Sequence, residues 1–373
     1  MENQFKRIMR LPSHRQLKRA DFRGKKVLVR FDLNVPIEGG KILDDSRILA
    51  ALPTLKKIIE RGAKQVNIIC HLGRPIGLDK NFSTIYIADE LSKLFRSKNK
   101  AKKIETDEKS PALKHYYQIT DKINLFENLR FDSREEKNST EFAKELAGLG
   151  DVFVQDAFAN IHRAHTSMVK LQECLPTFAG LLLEKEINVL FRLLSIAEKP
   201  FVVIIGGVKI EDKIPIIESL SQKADAVLVG GVTGNEWVAQ NLPTKENIFL
   251  PNDGVNKFGA IVPVTKETVK NGVFDIGPQT ILLFKGILSS AKTVFWNGNL
   301  GMTENKRFIH GTNEIARFVA KIKAEKVASG GNTADVIDDL GLREAFNFIS
   351  TGGGATSDLI CGKKLPALEM LLK

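Results

Sequence analysis

Four times in the first half of the chain a short apolar stretch runs straight into arginine or histidine: VLVR-FDLN, NIIC-HLGRP, INLFENLRF and VFVQDAFANIHRAH. The polar side chains so placed include Asp32, Asn34, His71, Arg74, Arg130, His162 and Arg163. A fold does not need cations at this density, whereas a polyanionic ligand does, because guanidinium forks grip phosphate and carboxylate through paired N–H donors. HLGRP is the strongest single motif. Asp32 and Asn34, two apart, point to the same side of an extended segment and can bind hydroxyls together or cap an edge. His115 and His165 read as structural or surface positions.

The second half ends its apolar stretches in glycine: FVVIIGG, AVLVGG, TVFWNG, KVASGG and FNFISTGGG. Glycine at a strand-to-helix turn lets backbone N–H groups approach a phosphate, and the following helix start adds its positive dipole end. GGVKIEDK sets Lys209 and Lys213 one helical turn apart, suited to a phosphate chain or to a solvated basic face. STGGGATSD offers Gly352, Gly353 and Gly354 as consecutive amide donors. WNGNLGMTE brings Asn297 and Glu304 to a further strand end, and Asp253 before glycine is an ordinary turn signal. An arginine rim in one half and a glycine rim in the other are most simply explained by two phosphate-bearing ligands facing each other across a cleft.

Short runs rich in Val, Ile and Phe, separated by helical patterns, are read as buried parallel strands, with ligands beyond their carboxyl ends. The fold class is therefore α/β: two doubly wound, Rossmann-like parallel-sheet domains. Leu183, Ile187, Leu190, Phe191 and Leu194 recur at helical spacing and predict a linking helix within 178–199. Pro176 and Gly180 mark its start and Pro200 its end. The domains predicted are 1–177, 200–360, and a final segment 361–373 that returns to the first.

The 373 residues, 43% hydrophobic, suffice for two cores. No apolar run approaches the roughly 18 residues of a membrane span. The basic start is read as a solvated arm, and KLFRSKNKAKK as a solvated helix end and loop. Three cysteines, Cys70, Cys174 and Cys361, show no CxxC spacing, which suggests a reducing, cytoplasmic setting; Cys70 reads as a buried thiol. The net charge of +11 permits nucleic-acid binding, but 3 Tyr and 2 Trp are few for a stacking surface. Neither GxxxxGK[ST] nor GxGxxG occurs, so P-loop and dinucleotide fingerprints are excluded.

The ordered motifs RFDLNVP, DDSRI, HLGRP, ENLRF, DAFANIHRAH, GGVKIEDK, FWNGNLG, SGGNT and ISTGGGA span nearly the whole chain, which resembles phosphoglycerate kinase. That resemblance implies two hinge-bending domains and reversible phosphoryl transfer between 1,3-bisphosphoglycerate and ADP, with Mg²⁺ on the nucleotide, in a monomer that binds neither nucleic acid nor membrane. It implies that Asp32 and Asn34 hold the glycerate, Arg47 its carboxyl or acyl-phosphate end, and His71, Arg74, Arg130 and Arg163 the non-transferred phosphate, with His162 nearby. Lys209 would follow the migrating group together with Gly352, Gly353 and Gly354; Lys213 would hold nucleotide phosphate and Glu304 ribose, among Gly207, Gly231, Asn297, Gly331 and Thr333. The chain departs from the family pattern in GGVK, GGVT, WNGN and SGGNT, where Asn332 replaces the family's metal-linked aspartate. The alternatives are a catalytically weakened relative that binds phosphoglycerate, and a nucleic-acid-binding protein.

Overall fold

The computed structural model describes residues 11–96 and 100–373; most of the basic arm's start, residues 1–10, and the middle of the KLFRSKNKAKK loop, 97–99, lie outside them. The chain divides into two units, one of residues up to Asn188 with Lys364–Lys373, the other Val189–Lys363.

In the first unit a seven-stranded sheet runs Lys102–Glu105, His115–Gln118, Ile123–Phe126, Gln65–Ile69, Lys26–Arg30, Val152–Gln155, Thr177–Ala179. The last five are parallel, and their order in sequence is 3-2-1-4-5, a doubly wound arrangement. Strand alternation decides the layers. Val27 and Val29 join Ile48, Ala51, Leu55 and Ile58 of the helix Ser46–Glu60 in one core, while Leu28 joins Phe142, Leu146, Phe153 and Leu171 in another. The helix Thr140–Ala147, which supplies Phe142 and Leu146, starts where the Ser139 hydroxyl accepts from Phe142 N. Each such fully buried Phe or Leu contributes about 1.5–3 kcal/mol.

The second unit holds six parallel strands: Ile248–Phe249, Ala226–Val229, Phe201–Ile205, Thr293–Asn297, Glu325–Ser329, Phe348–Ser350. Their sequence order is 3-2-1-4-5-6. Val202, Ile204, Val294, Trp296 and Ala328 pack on Phe284, Leu288, Ile315, Ala316 and Val319 from the helices Pro278–Leu288 and His310–Lys321.

Both units have the doubly wound parallel arrangement read from the sequence, and each adds antiparallel strands to it. Two antiparallel strands edge the first sheet, and a separate antiparallel sheet of Ile261–Pro263, Asp253–Asn256 and Val273–Ile276 sits in the second unit. These strands are only three or four residues long, and most of them carry polar side chains, so periodicity misses them. The linking helix is Leu181–Ser195, preceded by the strand Thr177–Ala179. No helix among the described residues is long and apolar enough to cross a membrane.

Candidate functional site

Parallel strands place the four arginine- and histidine-bearing turns at the same end of the first sheet. Asn34 Oδ1 accepts from Gly73 N at 2.7 Å, and Arg130 Nη1 donates to Gly73 O at 2.5 Å, so three of the turns are tied through one glycine. Asn128 makes the tie rigid: its Oδ1 accepts from Leu72 N and its Nδ2 donates to Leu72 O. Asp32 is buried and ion-paired with Arg47, which projects from the first turn of the helix Ser46–Glu60.

The cations feel one another. Arg130 is held below the ordinary guanidinium value, by burial first and then by Arg163, Arg30 and Arg74, with Glu136 opposing. His71, buried, is held well below the usual imidazole value by burial and by Arg30, Arg130, His165 and Arg47. Arg74 is exposed; His162 and Arg163 are half-buried on the turn that follows Val152–Gln155. The structure thus gathers the first-half residues at one place. It adds Arg30, 1% exposed, and Glu135, Ser167 and His165 beside it. His165 is pushed down to about 4 by burial and then by Arg130, Arg30, Arg163 and His162, so it belongs with the rim. His115 does not: it lies 3.3 Å from Glu127, on the strand His115–Gln118.

In the second unit four helices start at strand ends without a side-chain cap: Ile210–Ser221 after Lys209, Gly231–Ala239 after Gly230, Gly331–Asp339 after Gly330 and Gly353–Ile360 after Gly352. Uncapped first turns leave N–H donors and the dipole's positive end for an anion. Lys213 donates to Asn297 Oδ1, and burial lowers its ammonium below the ordinary value; Lys209 is exposed. The two lysines therefore do not share one environment. Asn297 Nδ2 donates to Ser329 O at 3.0 Å, and the Thr333 hydroxyl accepts from Gly298 N at 2.8 Å. Glu304, Gly331, Asn332 and Gly354 are exposed.

Several glycines serve packing between turns. A Cβ on Gly206 would lie 2.1 Å from Asn299 O, and one on Gly298, at φ +97°, 2.2 Å from Gly206 O. Gly231, at φ +63°, would meet Asn299 O at 2.8 Å, and Gly207, at φ +120°, the Lys213 stem at 3.1 Å. Gly331 has nothing within 4 Å and fits an open approach. Asp253, an ordinary turn signal in sequence, caps the helix Pro278–Leu288 by accepting from Gln279 N and Thr280 N. Cys70 is buried, and burial pushes its thiol up to about 12, which removes it as a nucleophile.

A family model described as phosphoglycerate kinase matches residues 17–243 and 235–363. A phosphoglycerate kinase of Desulforudis audaxviator is 40% identical over 94% of this chain and 97% of its own length. One from Thermomicrobium roseum is 36% identical over 94% and 97%. A solved phosphoglycerate kinase from Coxiella burnetii superposes with a TM-score of 0.81 at 33% identity, covering 95% of this chain and 98% of that one.

Proposed function

The chain belongs to the phosphoglycerate kinase family, and on that premise we propose that it transfers a phosphoryl group reversibly between 1,3-bisphosphoglycerate and ADP, giving 3-phosphoglycerate and ATP. The observation that carries this for the residues themselves is the gathering of Arg130, Arg163, Arg30 and Arg74 at the strand ends, where burial first and then the other three arginines hold Arg130 below its ordinary value. Cations held together against their own repulsion are offset by a ligand of several negative charges.

Asp32 and Asn34 hold the glycerate, and Arg47, oriented by Asp32, takes the carboxyl or acyl-phosphate end. Arg74, Arg130 and Arg163 take the non-transferred phosphate with His71, and His162 lies near. On the nucleotide side, Lys213 and the amides of Gly207, Gly231 and Gly331 hold phosphate, among Asn297 and Thr333, and Glu304 accepts from ribose. Lys209 follows the migrating group, and the amides of Gly352, Gly353 and Gly354 donate to its oxygens. Transfer of this kind needs positioning and charge neutralisation rather than a covalent nucleophile. No serine, cysteine or histidine has to be activated.

Mg²⁺ fits this set as a partner of the nucleotide. Among the described residues there is no cluster of three or more His, Cys, Asp or Glu that would form a protein cage. Asn332, exposed in the first turn of the helix Gly331–Asp339, would present one amide oxygen to an ion held otherwise by phosphate and water. The ion supplies charge neutralisation across the nucleotide phosphates. We further place the protein in the cytoplasm as a monomer acting on small molecules, neither nucleic acid nor membrane being its partner; the free thiols of Cys70, Cys174 and Cys361 support the compartment.

The test is ATP formation from ADP and enzymatically generated 1,3-bisphosphoglycerate, coupled to a reporter of ATP. Turnover that saturates in both substrates is expected. Binding of 3-phosphoglycerate without ATP formation would leave a binding protein in its place, and salt-sensitive DNA or RNA shifts with neither would favour the nucleic-acid alternative.

A further inference from the structure

Arg30 closes the strand Lys26–Arg30 with its guanidinium inside the unit. A guanidinium only donates. His71 Nδ1, 3.1 Å from Arg30 Nη2, is therefore an acceptor, and the proton of the neutral ring sits on Nε2. Arg30 Nε donates to Ser167 Oγ at 3.0 Å, and Nη1 donates to the Phe31 carbonyl. The Ser167 hydroxyl has one proton, which goes to Glu135 Oε1 at 2.6 Å, while Ser167 N donates to Oε2 at 3.0 Å. Glu135 is completely buried. Arg30 gives to His71 on one side and to Ser167 on the other, and with Glu135 as a carboxylate Ser167 gives to Glu135; burial raises the Glu135 carboxyl, while Arg30 and the two Ser167 hydrogen bonds oppose that and favour the charged form.

We propose that Glu135 and Ser167 are positioning residues which, acting through Arg30, lock His71 as a neutral ring whose Nε2–H donates to the phosphate of the phosphoglycerate-class ligand. The ring then acts as a directed donor and not as another cation. The inference rests on the phosphoglycerate kinase function proposed above. The groups that face His71 are Arg30 from the neighbouring strand, Arg130 from the turn after Ile123–Phe126, His165 from the turn after Val152–Gln155, and Arg47 from the helix Ser46–Glu60. None is an anion, and burial with the three arginines opposes an imidazolium. Without the row, the ring is free to choose either tautomer, and half of its neutral population would present a lone pair to the phosphate.

The test uses the full chain with ¹⁵N-labelled histidine. In the wild type the His71 ring should show the neutral, Nε2-protonated signature from about pH 5.5 to 8, with and without 3-phosphoglycerate. Ser167→Ala removes the bridging hydroxyl at little change of volume. It should let an Nδ1-protonated fraction of the His71 ring appear in the ¹⁵N spectrum and, with half of the ring in that tautomer, raise KM for 3-phosphoglycerate about twofold while kcat and the nucleotide KM stay unchanged. Because the two neutral tautomers carry the same charge, the variant-to-wild-type ratio of KM should not change between about pH 5.5 and 8. His71→Gln, whose amide N–H reaches toward the place of Nε2, should keep more affinity than His71→Ala. A merely structural role would lower the melting temperature without separating KM from kcat.

An Nδ1-protonated or charged ring in the wild type, or a Ser167→Ala ring that keeps the wild-type Nε2-protonated signature undiluted, overturns the inference. Should Ser167→Ala fail to fold, the wild-type spectrum alone decides. A wild type that makes no ATP overturns the function itself, whereas an active enzyme with the other tautomer overturns only the role of Glu135 and Ser167.

Discussion

Asp156 offers a quantitative test of how the first unit is built. It follows the strand Val152–Gln155, is completely buried, and accepts at Oδ1 from Leu183 N at 2.9 Å in the first turn of the helix Leu181–Ser195. Gly180 is glycine because a Cβ there would sit 2.2 Å from the Asp156 carboxyl carbon. Burial raises the carboxyl from an ordinary 3.8 to about 7, against the lowering influence of Thr54 and of the Leu183 and Leu182 amides. The folded state binds this proton more tightly than the unfolded chain. Its contribution to stability is therefore complete below about pH 4, falls as pH rises, and is gone above about pH 7. Each pH unit well inside that window is about 1.4 kcal/mol and the slope halves at the folded value, so wild type should lose about 2 kcal/mol between pH 5 and pH 7 from this group. Buried neutral His71 and His165 act oppositely below their ordinary range, which makes the wild-type curve alone a poor measure. Asp156→Asn isolates the carboxyl, since an amide keeps the acceptor for Leu183 N and does not ionise. The variant should gain about 3 kcal/mol relative to wild type on going from pH 5 to pH 8, with most of the change complete by pH 7. All three tyrosines, Tyr86, Tyr116 and Tyr117, lie in the first unit, and both tryptophans, Trp237 and Trp296, in the second. Urea unfolding followed by tyrosine near-ultraviolet absorbance should report the change in the unit that holds Asp156. An equal difference at pH 5 and pH 8 would refute a neutral Asp156.

Arg74→Ala should weaken 3-phosphoglycerate by about 10- to 100-fold, the range of one or two charge-assisted hydrogen bonds, and leave ADP unchanged in calorimetric titration. Equal losses for both ligands would remove Arg74 from the acid-side rim. Lys209→Ala should lower kcat by more than about tenfold with little effect on either affinity, because its charge is wanted where negative charge develops; steady-state kinetics at saturation checks it. Asn332→Asp should lower the Mg²⁺ concentration for half-maximal rate severalfold without altering 3-phosphoglycerate affinity, since a hard cation prefers carboxylate to amide. Superimposable magnesium curves would show that Asn332 does not limit metal binding.

The strands were legible because a sheet covered on both faces writes continuous Val, Ile and Phe into the chain, and their polar ends follow from the fold. Arg30 was not, though it ends VLVR: an arginine inside a strand looks like a strand end in solution until its partners are known. Those partners, Ser167 and Glu135, are far away in sequence and carry no spacing that would connect them. A signal was present all the same, since Arg30 is flanked by residues that bury on both sides. The glycines misled in the other direction. Gly206 and Gly298 are demanded by neighbouring turns that touch backbone to backbone, a requirement that in sequence looks the same as an open phosphate cradle. Asp275 had no local signal at all. It is raised to about 7 by burial and accepts from Gly311 N and Ile276 N, joining the antiparallel sheet to the helix His310–Lys321.

The last helix, Pro366–Leu372, buries Ala367, Leu368 and Leu371, and Ala367 O accepts from Gln172 Nε2 while Ala367 N donates to Ile161 O. The first unit is thus built from two stretches of chain, with Val189–Lys363 inserted between. The inserted unit, continuous in sequence, holds all six of its parallel strands within that one stretch. A proteolytic cut after Lys363 would therefore be felt at a distance in sequence, loosening the unit that packs the last helix while leaving every strand of the inserted unit in place.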